Sequence, residues 1–568
     1  MKKLTVIDFF CGAGGFSEGF RQAGYEIIQG YDNWQPAINT FNHNFKTESS
    51  VKNILDFKDS IDEINNLPNT DVIIGSPPCV SFSSSNISGK ADKESGVTLT
   101  KVFLRIVAVK KFQRDSQLKA WYMENVSNSR NYLADYYTFK DLGLAKWAKE
   151  NRLSPNKKAI ILKDNQPLIN SADYGSYQSR KRAISGECIE KCKLIIPKPT
   201  HSKNDKSGLE KWKSLKNLLA QIPRPNSTIV EKEIQDPIYP SIKIAQSNLT
   251  DQFYDTGLYK SEWRQSKYLK TNHPYMGKMS FPENLNNPSR TVTATKSGTS
   301  REAIIYKSEY NRKGNGEFRN PTVREAASIM GFPYTYQFIG SANNKWRLVG
   351  NAVCPSVSRA FANELLRQLK RPQPKNYVLD LENNINSDYN LNTFSENLFE
   401  NQPKRNKNSR FRRHAIKDGN LTVSLSNYRI DQNSKTKNKW FTSIQYGTGE
   451  GFPIQNIQNN YYHKLEDEIR TFKGGNQFIK IINNGFSELI GSKSDLQYMY
   501  EVQNSMDNLM EPTELIEKLA EIIKKTDLST EIFEQENKKI FKEKSIIPKT
   551  QLLALYAINK ISSTANSK

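Results

Sequence analysis

Apolar positions in the first third of the chain fall into short alternating or β-branched runs, separated by segments of helical period. Leu4 to Phe10 reads as a strand, the glycine-rich Cys11 to Phe16 as a turn, and the residues through Phe20 as the start of a helix. A second strand, Tyr25 to Gly30, runs into Tyr31 and Asp32, and Gln35 to Phe45 carries helical periodicity. Val72, Ile73 and Ile74 are too few for a helix and are stopped by Gly75 and the Pro77-Pro78 pair, so they predict a buried strand ending in a stiff turn. Helix-period residues from Thr98 to Phe112 and strands over Lys119 to Tyr122 and Ala159 to Leu162 continue the alternation. Strands alternating with helices predict an α/β fold on a parallel sheet.

The ends of these strands carry the candidate chemistry. Cys79 follows the two prolines directly, and strand carboxyl ends are where open α/β sheets bind ligands. Taken alone it reads as a small buried core residue sooner than as a nucleophile, since free cysteine is among the most buried types. The turn Cys11-Gly12-Ala13-Gly14-Gly15 lets backbone N–H groups approach a ligand at a helix N-terminus. It departs from the G-x-G-x-x-G pattern, which argues against NAD and leaves other adenosine cofactors open. Asp32, at the end of the second strand, can accept hydrogen bonds from ribose hydroxyls or serve as an ordinary turn aspartate. Glu124 closes an apolar strand, where a carboxylate is costly unless partnered or used. Arg180 and Arg182, two apart on an extended chain, share one face and could clamp a polar ring or phosphate; Lys181 between them reads as solvated.

Length and charge narrow the class. A chain of 568 residues exceeds one ordinary core, so two to four domains are expected. A net charge of +23 favours a polyanionic partner, nucleic acid before an anionic membrane, although lysine-rich composition weakens the inference. Five cysteines, Cys11, Cys79, Cys188, Cys192 and Cys354, form no disulfide framework, and the lone C-x-x-x-C pair gives no zinc site, so no metal is expected. Asp8 interrupts the first apolar run before it reaches the length of a secretory leader. No stretch approaches the roughly 20 apolar residues of a membrane span. A soluble, intracellular protein is expected.

Six motifs in order identify a resemblance to the DNA cytosine-5 methyltransferases. Phe9-Phe10-Cys11-Gly12-Ala13-Gly14-Gly15-Phe16 resembles their S-adenosylmethionine loop, Pro78-Cys79 with Ser81 and Ser83 their nucleophile motif, and Glu124-Asn125-Val126 their glutamate motif. Gln178-Ser179-Arg180-Lys181-Arg182 is similar to their Q-x-R-x-R. The helix motif from Thr322 to Pro333 and the closing motif from Gly350 to Val357 complete the set. The resemblance implies a Rossmann-like, S-adenosylmethionine-dependent methyltransferase fold with a smaller target-recognition domain. It implies Cys79 as nucleophile adding to cytosine C6, Glu124 holding N3 and the exocyclic amine, Arg182 holding O2, and Arg180 supporting the loop around thiol and base. Phe10, Gly12, Gly14, Asp32, Asn53, Ile54, Pro78 and Asn351 are the expected cofactor-side residues. Asn53-Ile54 departs from the family's usual Asp-Ile, which implies retained but altered adenine contacts. Double-stranded DNA is the implied partner, bound by a monomer at the nucleoid, with a cognate restriction endonuclease as a further partner.

The resulting division is residues 1–187 for catalysis and cofactor, 188–288 for target recognition, 289–370 for the return to the scaffold, 371–419 for an Asn-rich basic linker, and 420–568 for an extra C-terminal α/β or α+β domain. The 188–288 stretch loses the strand-helix alternation and scatters Trp212, Tyr254, Trp263, Tyr268 and Tyr275 among basic and polar residues, a composition suited to phosphates and base edges. Seven basic residues between Lys404 and Lys417 face no acid and read as a flexible arm for DNA phosphates or as a solvated tether. Leu515, Ile516, Leu519, Ile522 and Ile523 form a core-facing helical stripe after Pro512. Asp495, Glu501 and Gln503 resemble a nuclease metal constellation at common spacing. The rival readings are an RNA (tRNA) cytosine-5 methyltransferase, a DNA-binding scaffold that has lost its chemistry, and a methyltransferase fused to a nuclease.

Overall fold

The computed structural model describes residues 2–78, 93–204, 208–225, 232–252, 258–272, 279–309, 315–374, 404–418, 421–428, 439–446, 454–456, 462–534 and 546–568. Two units divide the chain, Met1–Thr271 with Met279–Leu398 and Asn272–Lys278 with Phe399–Lys568.

In the first unit the period-2 runs become β1 (Thr5–Phe9), β2 (Glu26–Tyr31), β3 (Val72–Gly75) and β4 (Ala120–Val126). Helices α1 (Gly15–Gln22), α2 (Gln35–Phe45) and α3 (Lys93–Phe112) separate them. Two further strands, β5 (Leu168–Asn170) and β6 (Lys181–Cys188), complete a six-stranded sheet of order β2-β1-β3-β4-β6-β5. This is the Rossmann-like α/β arrangement, with one correction to the sequence reading. Only the β2-β1-β3-β4 portion is parallel; β6 runs antiparallel to both β4 and β5. Strand β4 also continues past Tyr122, so Glu124 and Asn125 lie within it, opposite Ile184 and Ala183 of β6. The segment Lys158–Ile161 pairs with Tyr136–Thr138 outside this sheet.

Alternation along the strands feeds two layers. Val6, Ile74 and Tyr122 join one core with Phe16 and Phe20 of α1, while Ile7, Ile73 and Trp121 join the other with Phe103 and Val107 of α3. Each such side chain contributes about 1.5–3 kcal/mol on burial. After the 188–288 stretch the chain returns through α4 (Val323–Met330), α5 (Ala342–Asn351) and α6 (Pro355–Gln368). Helix α6 packs on a glycine face of α1. A Cβ at Gly15 would stand 2.3 Å from the Val353 carbonyl, and one at Gly19 would stand 2.5 Å from Arg359 N, so alanine at either position would force the helices apart.

Buried polar anchors fasten the 188–288 stretch to this return. Asp236 accepts backbone N–H groups of Ile238, Tyr239 and Tyr334, at 2.7, 2.9 and 2.6 Å. Burial pushes its carboxyl up to about 6. Arg324 of α4 donates to the Thr250 hydroxyl and to the carbonyls of Thr250, Pro333 and Tyr336, and Lys345 pairs with buried Asp251 at 2.7 Å.

The second unit is α+β. Arg412–Asp418, Leu421–Ser426, Phe441–Tyr446 and Ile454–Asn456 form an antiparallel four-stranded sheet, in chain order. Leu552, Leu555 and Ile558 of the helix Lys549–Ser567 join its core, as do Leu515, Ile516, Leu519 and Ile523 of the stripe after Pro512, with Ile522 half-buried. The basic run after Lys404 is therefore not a free arm: it enters the sheet at Arg412, and Phe411 and Ala415 are in the core. The Asp495 carboxylate caps its own helix through Ser492 N–H, that of Glu501 takes the Asn408 N–H and the Gln497 amide, and Gln503 accepts from Arg405. Among the described residues no three His, Cys, Asp or Glu gather where they could hold a metal ion. No helix among them is long and apolar enough to cross a membrane.

Candidate active site

At the carboxyl ends of β1 to β4 lies a cavity of about 1020 Å³. Strand β1 ends in a turn whose backbone enters the left-handed region at Phe10 (φ 55°), Gly12 (φ 52°) and Gly14 (φ 79°). For a bulky residue such as Phe10 this conformation costs about 1–3 kcal/mol, the kind of strain that clusters at functional sites. Gly12 and Gly14 serve different ends. No atom lies within 4 Å of where a Cβ of Gly12 would stand, whereas at Gly14 the Phe45 ring would be 2.4 Å away. Gly12 borders the cavity and Gly14 does not; its place is a packing one.

Asp32, at the end of β2, accepts the Gly12 N–H at 2.9 Å and the Trp34 N–H at 2.9 Å. Burial raises its carboxyl above the ordinary range, opposed by these backbone hydrogen bonds and by the Arg347 guanidinium. Arg347 itself stacks on the Trp34 ring at 4.5 Å. Asn53 uses its carboxamide oxygen to accept the Leu55 N–H at 3.0 Å, which leaves chiefly its amide donors for a ligand. Phe10, Ile54, Pro78 and Asn351 also line the cavity.

A second cluster lines the same cavity. Buried Glu124 has its Oε1 3.0 Å from Arg182 Nε, and its Oε2 accepts the Ser76 hydroxyl at 2.7 Å. Arg180 does not join Arg182 on the carboxylate. Its guanidinium donates to the carbonyls of Val292, Gly350 and Ala352, at 3.0, 3.2 and 3.3 Å, so it braces the returning chain rather than forming a paired clamp. Cys79 lies outside the described residues and follows Pro78 directly. The other two thiols near the site, Cys11 and Cys354, are buried, and burial pushes both upward in pKa.

A family model described as C-5 cytosine-specific DNA methylase matches residues 4–367. The chain belongs to the C-5 cytosine-specific DNA methylase family. Among its methylase relatives, the type II methyltransferase M.HgiDI of Herpetosiphon aurantiacus is 26% identical over 374 residues, 65% of this chain and 96% of that protein. The type II methyltransferase M1.HphI of Haemophilus parahaemolyticus is 25% identical over 371 residues, 64% of this chain and 87% of that protein. Among solved structures, the Entamoeba histolytica methyltransferase EhMeth aligns with 18% identity and a TM-score of 0.40, covering 65% of this chain and 100% of that one. The methylase match ends at residue 367, so the Phe399–Lys568 part of the second unit lies outside it.

The methylase cavity contains residues that the motifs do not single out: Asp8, Trp34, Ser76 and Arg347. In the sequence, Asp8 stands out only as a charge inside an apolar run. In the fold it is buried, accepts the Ser17 hydroxyl at 2.7 Å, and is pushed up to about 8 by burial. Between the ordinary carboxylate range and about 8 the folded state therefore holds a proton that the unfolded chain releases, and stability falls as pH rises through that window. Asp8→Asn keeps an acceptor for Ser17 and removes the titration. Thermal unfolding of the two proteins should match near pH ~4, with the variant gaining on the parent as pH is raised to ~8.

Proposed function

We propose that the chain transfers a methyl group from S-adenosylmethionine to C5 of a cytosine flipped out of a specific double-stranded DNA sequence, through a covalent bond between Cys79 and C6. The observation that carries this reading is one cavity lined both by the Gly12–Asp32 turn and by the Glu124–Arg182 pair, with Pro78 at its edge leading to Cys79. The residues fit an adenosyl cofactor: the open space at Gly12 leaves room beside the carboxylate for a ribose, Phe10 and Ile54 offer apolar surface to a purine, and Asn53 offers donors to its edge. When bound there, S-adenosylmethionine supplies the electrophilic methyl group that C5 takes up.

The chain's own residues supply the rest. Cytosine C5 is a weak nucleophile, and a bond from the Cys79 thiolate to C6 moves the C5–C6 electron pair onto C5. Glu124 gives a proton to N3 and accepts from the exocyclic amine, which also selects cytosine over thymine. Arg182 holds O2. After methylation C5 loses its proton to solvent, the electrons of the C5–H bond restore the ring double bond as the Cys79–C6 bond breaks and the thiolate leaves, and N3 returns its proton to Glu124. Flipping costs a few kcal/mol of unstacking, offset by DNA contacts from the 188–288 stretch. The type II methyltransferase relatives support DNA as the substrate; in this reading the protein acts as a monomer at the nucleoid, beside a cognate restriction endonuclease.

The test is bisulfite sequencing of DNA from cells expressing the intact chain, alongside methyl transfer from labelled cofactor to tRNA. Converted tracts should be interrupted by protected cytosines at one fixed position of one sequence. Labelled tRNA with unprotected DNA would overturn the reading.

A further inference from the structure

Ser76 stands between the nucleophile turn and the glutamate strand. Its N–H donates to the Phe9 carbonyl at 3.1 Å, which extends the β1–β3 pairing by one residue and fixes its backbone. Its hydroxyl donates to Glu124 Oε2 at 2.7 Å. One residue along each strand end, the Asn125 amide donates to the Pro77 carbonyl at 3.3 Å. Two side-chain bonds thus run between the segment that leads into Cys79 and the end of β4.

The terminal torsion of a glutamate is broad and nearly two-fold, so the plane of the Glu124 carboxylate is set by whatever donors hold it. Oε1 faces Arg182 and Oε2 faces Ser76. Under the proposed function Arg182 has a second duty at cytosine O2, and Ser76 has none. We propose that Ser76 is a positioning residue for base recognition: it anchors Oε2, so that Oε1 is the oxygen that presents a proton to N3. This inference rests on the cytosine C5 reading above and acts wholly through Glu124. Ser76 touches neither base nor cofactor in this role, and its loss leaves every other group of the site in being.

The experiment compares Ser76→Ala and Ser76→Thr with the full-length parent, using unmethylated genomic DNA and tritiated cofactor, and measures cofactor affinity separately by calorimetry. Ser76→Ala should lower kcat about 10- to 100-fold with KM for DNA and cofactor affinity unchanged, and Ser76→Thr, which keeps the hydroxyl, should restore most of the rate. A parent that labels no cytosine defeats the underlying reading, whatever Ser76 does. With an active parent, three results overturn the Ser76 role: kcat unchanged in Ser76→Ala, equal impairment of both variants, or a loss of rate matched by a loss of cofactor affinity.

Discussion

Cys79→Ser should bind cofactor and DNA as the parent does and transfer methyl groups at least about 10⁴-fold more slowly, since removing a nucleophile disables the whole catalytic set at once. A free thiol with pKa near 8.5 is a few per cent ionised at neutral pH, whereas a serine hydroxyl is essentially never so. Cys11 and Cys354 are buried, with their thiols pushed toward the neutral form, so neither can stand in. The decisive readout is a denaturation-resistant adduct with an oligonucleotide containing 5-fluorocytosine: the parent should form it and the variant should not. An adduct of equal yield in the variant would remove Cys79 from the chemistry.

Arg180→Met should cost about 3–5 kcal/mol of stability, read as a lower urea midpoint, because it leaves buried carbonyls without their charged donor. The three acceptors belong to Val292, Gly350 and Ala352, so the loss falls where the returning chain meets the catalytic sheet. Gln178 works on the same seam, accepting the Val292 N–H at 3.2 Å. Arg180→Lys should recover only part of the loss, since one ammonium cannot reproduce a planar fork. A midpoint unchanged in Arg180→Met would mean that solvent reaches these carbonyls.

What could be read from the sequence was local. Val72 to Ile74 and the glycine turn after Phe9 are short-range signals, and both fold as their patterns predict. The helix over Gln35 to Phe45 has the limits its periodicity predicts. The antiparallel entry of β6 beside β4 was not legible, because a strand buried on both faces looks the same in either direction. The separation of Arg180 from Arg182 was hidden for a related reason. Spacing indicates which face a side chain leaves, but the carbonyls that capture Arg180 arrive from residues 292 to 352. Charge misled at Lys404 to Lys417, where Phe411 and Ala415, the apolar residues between the cations, decide the outcome by entering a core. Ser76 carried no signal at all, since one hydroxyl before two prolines is ordinary turn composition.

The glycine face of α1 is completed by residues more than three hundred positions later, through Val353, Pro355 and Arg359. On the ribosome, at about 5–20 residues per second, roughly 20 to 70 seconds separate the emergence of that helix from the arrival of its partner. During this interval Phe16 and Phe20 lack the cover that Phe361 and Leu365 later provide. A nascent chain cut short before α6 would keep five of its six motifs and expose this apolar seam, a form for chaperones and proteases to find.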